Sequence, residues 1–156
     1  MRLILLILAL LTTPAFAQGW ERYDNVRFGY GIDIPPGFSG EGDSDNGDGQ
    51  SFYDTTGAKG LLVWGANLMG DFEGEVASAI EYAQAENGWN ITYEATTPRW
   101  ASFSALKGFR ILYQRMILLC DGTSYAAFRA EYSVTDSAEM EPVIDKLVQA
   151  LKGNGC

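Results

Sequence analysis

The sequence predicts an α+β fold, an antiparallel sheet flanked by two helices. Short runs rich in β-branched and aromatic residues follow one another across glycine-containing turns, and connections that short are hairpins. Two other segments, Asp71–Glu86 and Ser137–Leu151, repeat apolar residues at helical spacing. The length, 156 residues, suits one domain with a sizeable core, on which both helices bury their apolar stripes.

Each element has its own signal. Val26–Phe28 and Tyr30–Ile34 are β-prone. In the second run Tyr30, Ile32 and Ile34 alternate with Gly31 and Asp33, the pattern of a half-buried strand, and Pro35-Pro36-Gly37 ends it. The turn-rich stretch Pro35–Gln50 leads to a strand at Ser51–Tyr53, a turn at Asp54–Gly57 and an apolar strand, Lys59–Gly65, suited to the sheet interior. Phe72, Val76, Ala79, Ile80 and Ala83 form the stripe of the first helix. Asp71, Glu73 and Glu75 sit at its positive end, and Asn87-Gly88 stops it. Trp89–Thr97 is a strand closed by Pro98. Ala101–Leu106 and Phe109–Leu119 form a hairpin across Lys107-Gly108, and Asp121-Gly122 turns into Ser124–Tyr132. Met140, Val143, Ile144, Leu147, Val148 and Leu151 form the stripe of the last helix. Asp136 with Glu139 fits a capping box there, Pro142 implies that the regular helix starts near it, and Gly153 lies just past its end.

The first residues predict a compartment. Arg2 precedes the apolar run Leu3–Leu11. Thr12-Thr13-Pro14 breaks the run, and Ala15-Phe16-Ala17 offers small residues where a signal peptidase reads. This is the pattern of a secretory signal peptide, residues 1–17, cleaved between Ala17 and Gln18. The run is shorter than the about 20 residues of a bilayer span, so no membrane span is expected. The expected product, residues 18–156, is a single periplasmic or secreted domain. It carries 10 basic and 20 acidic residues once Arg2 is removed. That balance lacks the basic footprint of a nucleic-acid binder and disfavours anionic lipid. In an oxidising compartment Cys120 and Cys156 suggest a disulfide, with a free thiol or an intermolecular bridge through Cys156 as the alternatives.

Histidine is absent. A Ser-His-Asp or Cys-His pair and the usual histidine zinc sites are therefore excluded, and two cysteines cannot make a four-cysteine site. Ser104-Ala105-Leu106-Lys107 and Ser44-Asp45-Asn46 spell two β-lactamase motifs, but in reversed order, without K-T-G, and with the first on a strand where that chemistry needs a helix. Asp121 beside Cys120 raises the thiol pKa, the wrong direction for a nucleophile. Glu73 with Glu75 and Glu139 with Glu141 are explained by helix starts, and Glu131 reads as a partner of Arg129 on a solvated edge. Nothing in the spacing gives the opposed carboxylates of a glycosidase. Asn90-Ile91-Thr92 is a glycosylation sequon in form only. Trp64 reads as core. Trp100, between Arg99 and a strand start, is the candidate anchor of a partner-binding surface, its structural alternative being a plug at the end of the sheet.

The stretch GEGDSDNGDGQ, Gly40–Gln50, makes Asp43, Asp45 and Asp48 a candidate cation loop. An EF-hand register from Asp43 fails, because Gly47 falls fifth and Asp48 sixth, where an oxygen ligand and a glycine are required. Asn46-Gly47 and Asp48-Gly49 tolerate positive φ, so the stretch is expected to be a mobile acidic turn into the next strand.

The opening Tyr23-Asp24-Asn25-Val26-Arg27-Phe28-Gly29-Tyr30, followed by Ile34-Pro35, resembles that of the PsbP-like domains, in which an aromatic–Gly–aromatic strand runs into a proline. The Tyr132 strand and the final amphipathic helix agree in order. The chain is most similar to exported bacterial proteins of uncharacterised role with this Y-x-N-x-R-F-G-Y opening, an N-G-D-G turn (here Asn46–Gly49) and a tryptophan before the central hairpin (here Trp100). The resemblance implies a PsbP-like α/β/α sandwich and an accessory subunit that binds partners without catalysis. The sequence therefore reads as an exported, non-catalytic accessory or binding protein, with a protein or small ligand as partner and no cofactor. A calcium-stabilised module and a histidine-free carboxylate hydrolase are the alternatives, and the oligomeric state is not indicated.

Overall fold

The computed structural model describes residues 19–156. The expected signal peptide and its cleavage site lie outside the described residues. The elements run β1 (Glu21–Asn25), β2 (Tyr30–Ile34), β3 (Phe38–Asp43), β4 (Gly49–Asp54), β5 (Gly60–Asn67), α1 (Phe72–Glu81), β6 (Asn90–Thr96), β7 (Trp100–Lys107), β8 (Arg110–Leu118), β9 (Ser124–Ser133), α2 (Ser137–Ala150) and β10 (Lys152–Gly153). Seven strands form one antiparallel sheet in the order β3-β4-β5-β9-β8-β7-β6, and β1, β2 and β10 form a small second sheet.

Strand alternation sorts the core onto the two faces of the large sheet. On one face Leu61 and Val63 of β5 and Ala126, Phe128 and Ala130 of β9 pack with Tyr30, Ile32 and Ile34 of β2 and Met140, Ile144 and Leu147 of α2. On the other, Ala101, Met116 and Ala127 meet Phe72 and Val76 of α1, and Phe103, Ala105 and Leu112 meet Ala83 and Trp89. The expected α+β architecture, helices on both sides of an antiparallel sheet, is therefore present. Neither cover is complete. The α1 side leaves Tyr53 and Leu62 exposed over β4–β5, and the α2 side leaves Tyr93, Trp100 and Leu106 exposed over β6–β7.

Several elements differ from the sequence reading. Val26–Phe28 is a turn, not a strand. The Asn25 side chain accepts from the Phe28 N–H at 2.9 Å and the Asn25 carbonyl from that of Gly29, Gly29 takes a positive φ, and Val26 stands 94% exposed. The chain is extended one step earlier, as β1. Strand β3 carries no apolar alternation. It is an edge strand with a register shift between Gly40 and Asp43, held by pairing rather than by burial. The central hairpin turns across Gly108-Phe109, because Lys107 pairs with Arg110.

Both helix ends also differ. The first helix widens to a π-turn over Tyr82–Glu86 before stopping at Asn87-Gly88. Helix α2 begins at Ser137, so Pro142 lies inside it. The missing proline N–H falls opposite the carbonyl of Ala138, an exposed residue in the first turn, where water can satisfy it. No capping box forms, since Asp136 makes no side-chain cap bond. The entry is shaped instead by a 3-10 turn, Val134–Asp136, whose Ser133 hydroxyl accepts from the Thr135 N–H.

Candidate functional site

The uncovered half of the α2-side face is built by three strands in register. Trp100, Ser102, Ser104 and Leu106 of β7 stand opposite Ile117, Arg115, Tyr113 and Ile111 of β8, and Tyr93 of β6 lies beside Ser104. The Arg115 guanidinium lies over the Trp100 ring, 4.2 Å from its centroid, and its Nη1 donates to the Ser102 hydroxyl at 3.1 Å. Its Nε is buried with no acceptor, and among the described residues no carboxylate lies within 4.0 Å of it. Burial pushes the Arg115 pKa down, opposed by the Tyr113 and Tyr93 hydroxyls. The Trp100 ring beneath it is 36% exposed, so cation and aromatic together face the open surface; the Lys146 ammonium stacks on Trp20 in the same way at 4.0 Å. Toward α2 the face continues into a groove of about 320 Å³ lined by Tyr113, Tyr132, Glu141 and Asp145. Trp100, the first residue of β7, borders this open face. Sequence reasoning missed Arg115, although its place two residues from Tyr113 on an alternating strand was a signal.

The acidic stretch is organised by internal hydrogen bonds. The Ser44 hydroxyl donates to Asp48 Oδ1 at 2.6 Å and accepts from the backbone N–H groups of Asp48 and Gly49. Asn46 Nδ2 donates to Asp48 Oδ2 at 2.9 Å. Asp43 instead accepts from the Tyr23 hydroxyl at 3.0 Å. Asp43 and Asp48 therefore have different partners, Asp45 stands exposed between them, and among the described residues no group of three His, Cys, Asp or Glu side chains is gathered to hold a metal ion.

Hydrogen bonds from distant residues fasten the backbone of this loop. Asn25 Nδ2 donates to the Gly47 carbonyl, Arg27 Nη1 to that of Asn46, and the Tyr30 hydroxyl and the Gly65 N–H to that of Asp48. The residues of the Y-x-N-x-R-F-G-Y opening and the N-G-D-G turn thus form one unit. The Tyr30 hydroxyl is buried beside Tyr23 and Asp48, which holds its pKa far above the ordinary value.

Cys120 and Cys156 form a disulfide, which ties the tail to the end of β8. Ser104 and Lys107 alternate to opposite faces of β7, and the Lys107 ammonium donates to the Asn87 carbonyl at 2.6 Å, so the S-x-x-K spacing brings no pair together. Arg129 and Glu131 are not on a solvated edge, because β9 is the central strand of the seven. Among the described residues no helix is long and apolar enough to cross a membrane.

No protein-family model matches the chain, and no curated protein matches it. Solved structures do. The solution structure of cyanobacterial PsbP (CyanoP) from Synechocystis matches with a TM-score of 0.67 at 13% identity, over 90% of this chain and 96% of that one. The Saccharomyces cerevisiae Ran-binding protein Mog1p matches with a TM-score of 0.63 at 9% identity, over 88% and 96%. A mutant form of protein Mog1 matches with a TM-score of 0.63 at 8% identity, over 86% and 95%. The chain has the PsbP-like fold that its opening motif led us to expect.

Proposed function

We propose that this is an exported, non-catalytic accessory module, a single domain of residues 18–156 freed of a signal peptide at 1–17, that binds a protein partner in the periplasm through the Trp100–Arg115 face. The observation that carries the reading is the Arg115 guanidinium, stacked on an exposed tryptophan and without a carboxylate partner among the described residues. Tryptophan and arginine are the side chains that most often dominate binding at protein interfaces, and Tyr93 and Leu106 extend the same surface. A fold neighbour that is named a Ran-binding protein supports the class, and the disulfide supports an oxidising compartment. A photo-crosslinking residue at Tyr93 or Leu106, expressed with the native leader, should trap a protein partner in the periplasm. One at Tyr53, on the opposite face, should not. Equal trapping from both faces, or none from Tyr93 and Leu106, would overturn the assignment of this surface.

A further inference from the structure

A second site lies on the opposite face, over the part of the sheet that α1 leaves open. Ser51, Leu62, Arg129 and Gln114 stand in one row across β4, β5, β9 and β8, and Tyr53, Gly60, Glu131 and Leu112 in the next. Gly60 lets the Tyr53 ring lie close over β5, its edge 3.2 Å from where a Gly60 Cβ would be, and beside it is a concavity of about 210 Å³ lined by Ser51, Tyr53, Arg110, Arg129 and Glu131. Its deepest cation is anchored from below. Gln114, 1% exposed, accepts from Arg129 Nε at 3.0 Å. Both terminal nitrogens of Arg129 are left without an acceptor among the described residues, and no carboxylate lies within 4.0 Å of them. Arg110 adds a second guanidinium, held through Nη1 to the Ala58 carbonyl at 2.7 Å.

We propose that this concavity binds a small monocarboxylate carrying a neighbouring hydrogen-bond donor, gripped by the terminal nitrogens of Arg129 and by Arg110. A guanidinium whose Nε is occupied presents a two-donor edge that matches a planar carboxylate. The volume is below the roughly 300 Å³ at which drug-sized ligand pockets begin, which limits the occupant to a small acid. Glu131 at the wall disfavours a dianion and offers an acceptor to a hydroxyl or ammonium beside the ligand's carboxylate. Ser51 and Tyr53 supply further hydroxyls at the rim. Burial works against the charged form of Arg129 and the nearby Glu131 charge works for it, so a bound anion gains from a partly desolvated cation and must sit on the side of the guanidinium away from Glu131.

The test is a titration of the leader-free chain, labelled at arginine side-chain nitrogens, with acetate, glycolate, glycine and inorganic phosphate at constant ionic strength. The Arg129 Nε–Hε signal should shift saturably. Glycolate or glycine should bind more tightly than acetate, and phosphate more weakly. The stronger of glycolate and glycine tells whether the donor is a hydroxyl or an ammonium. Arg129→Gln should weaken binding by about tenfold or more. Arg110→Gln, a change at the rim that leaves the Gln114 anchor intact but removes the bond to the Ala58 carbonyl, should weaken it less and lower the melting temperature only slightly. A shift that never saturates, that chloride reproduces, or that survives Arg129→Gln in a folded variant overturns the proposal. The crosslinking result on the other face is independent of each of these outcomes.

Discussion

The side-chain amide of Asn25 spans two segments, donating to the Gly47 carbonyl at 2.9 Å while its Oδ1 accepts from the Phe28 N–H at 2.9 Å. A single side chain, 4% exposed, thereby shapes the turn after β1 and fastens the acidic loop to it. Asn25→Ala leaves a buried donor and a buried acceptor unpaired, and should cost about 2 kcal/mol. Asn25→Asp keeps the acceptor and loses the donor, so it should loosen the loop while preserving the turn. Hydrogen exchange at Gly47–Gly49 reads the effect. If exchange there is unchanged in Asn25→Ala, the fastening belongs to Arg27 and Tyr30 instead.

Two glycines of the same loop should respond differently to alanine. A Cβ on Gly49 would sit 1.9 Å from the Val63 carbonyl oxygen and 2.7 Å from the Trp64 Cα. Those are backbone atoms of the paired strand, and no rotamer change relieves the clash. Gly47 has open space around its Cβ position but a φ of +70°. Gly49→Ala should therefore cost about 3 kcal/mol or more, and Gly47→Ala about 1–2 kcal/mol of backbone strain. Urea midpoints at constant m-value provide the comparison. Equal shifts for the two would mean that β4 moves away from β5 to make room.

What could be read from the sequence follows from which signals are local. Tyr30, Ile32 and Ile34 alternate because they bury one face, and both helices carry stripes because each packs on one side of the sheet, so these elements were legible. Strand β3 was not, since Phe38–Asp43 owes its extended form to pairing with β4, a partner invisible to periodicity. The loop's fastening was hidden for a similar reason. Its anchors, Asn25, Arg27 and Tyr30, lie some twenty residues away in the chain. Trp100 could be singled out by its position before a hairpin. Arg115 gains its meaning only from the cross-strand placement that lays it on that ring, and Arg129 only from Gln114 on the neighbouring strand.

Asp121 should contribute to acid sensitivity. Its carboxylate accepts from the Ser124 hydroxyl at 2.6 Å and from the N–H groups of Thr123 and Ser124 at 2.8 and 2.9 Å, and these bonds lower its pKa below the ordinary 3.8. A carboxyl with a depressed folded-state pKa binds fewer protons folded than unfolded. The stability it contributes is present above the unfolded value and is lost as pH falls through the folded one. Asp121→Asn should therefore be less stable near neutrality and show a shallower loss of stability with acid below the ordinary carboxylate range. Parallel acid-unfolding curves for the two proteins would remove Asp121 from the account.

The disulfide should hold the short strand β10 in place. Cys120 and Cys156 join the end of β8 to the tail, and between them the chain returns along β2. Lys152 pairs with Gly31, and the Asn154 N–H donates to the Gly29 carbonyl at 2.7 Å. Gly153 sits against the bridge, and a Cβ there would lie 3.0 Å from both sulfurs. Replacing both cysteines by serine should cost about 2–4 kcal/mol, at about 2–4 °C of melting temperature per kcal/mol. Faster exchange should be confined to Asn154 and the β2 edge that it covers. Gly153→Ala should loosen the same edge, because its Cβ presses on both sulfurs and pushes β10 away from them, while the cysteines, still joined, resist alkylation without reductant. Loss of the bridge with no change in exchange along β2 would show that β10 is held by its own hydrogen bonds. Alkylation of both cysteines in the unreduced parent would show that the bridge does not form in the expressed protein.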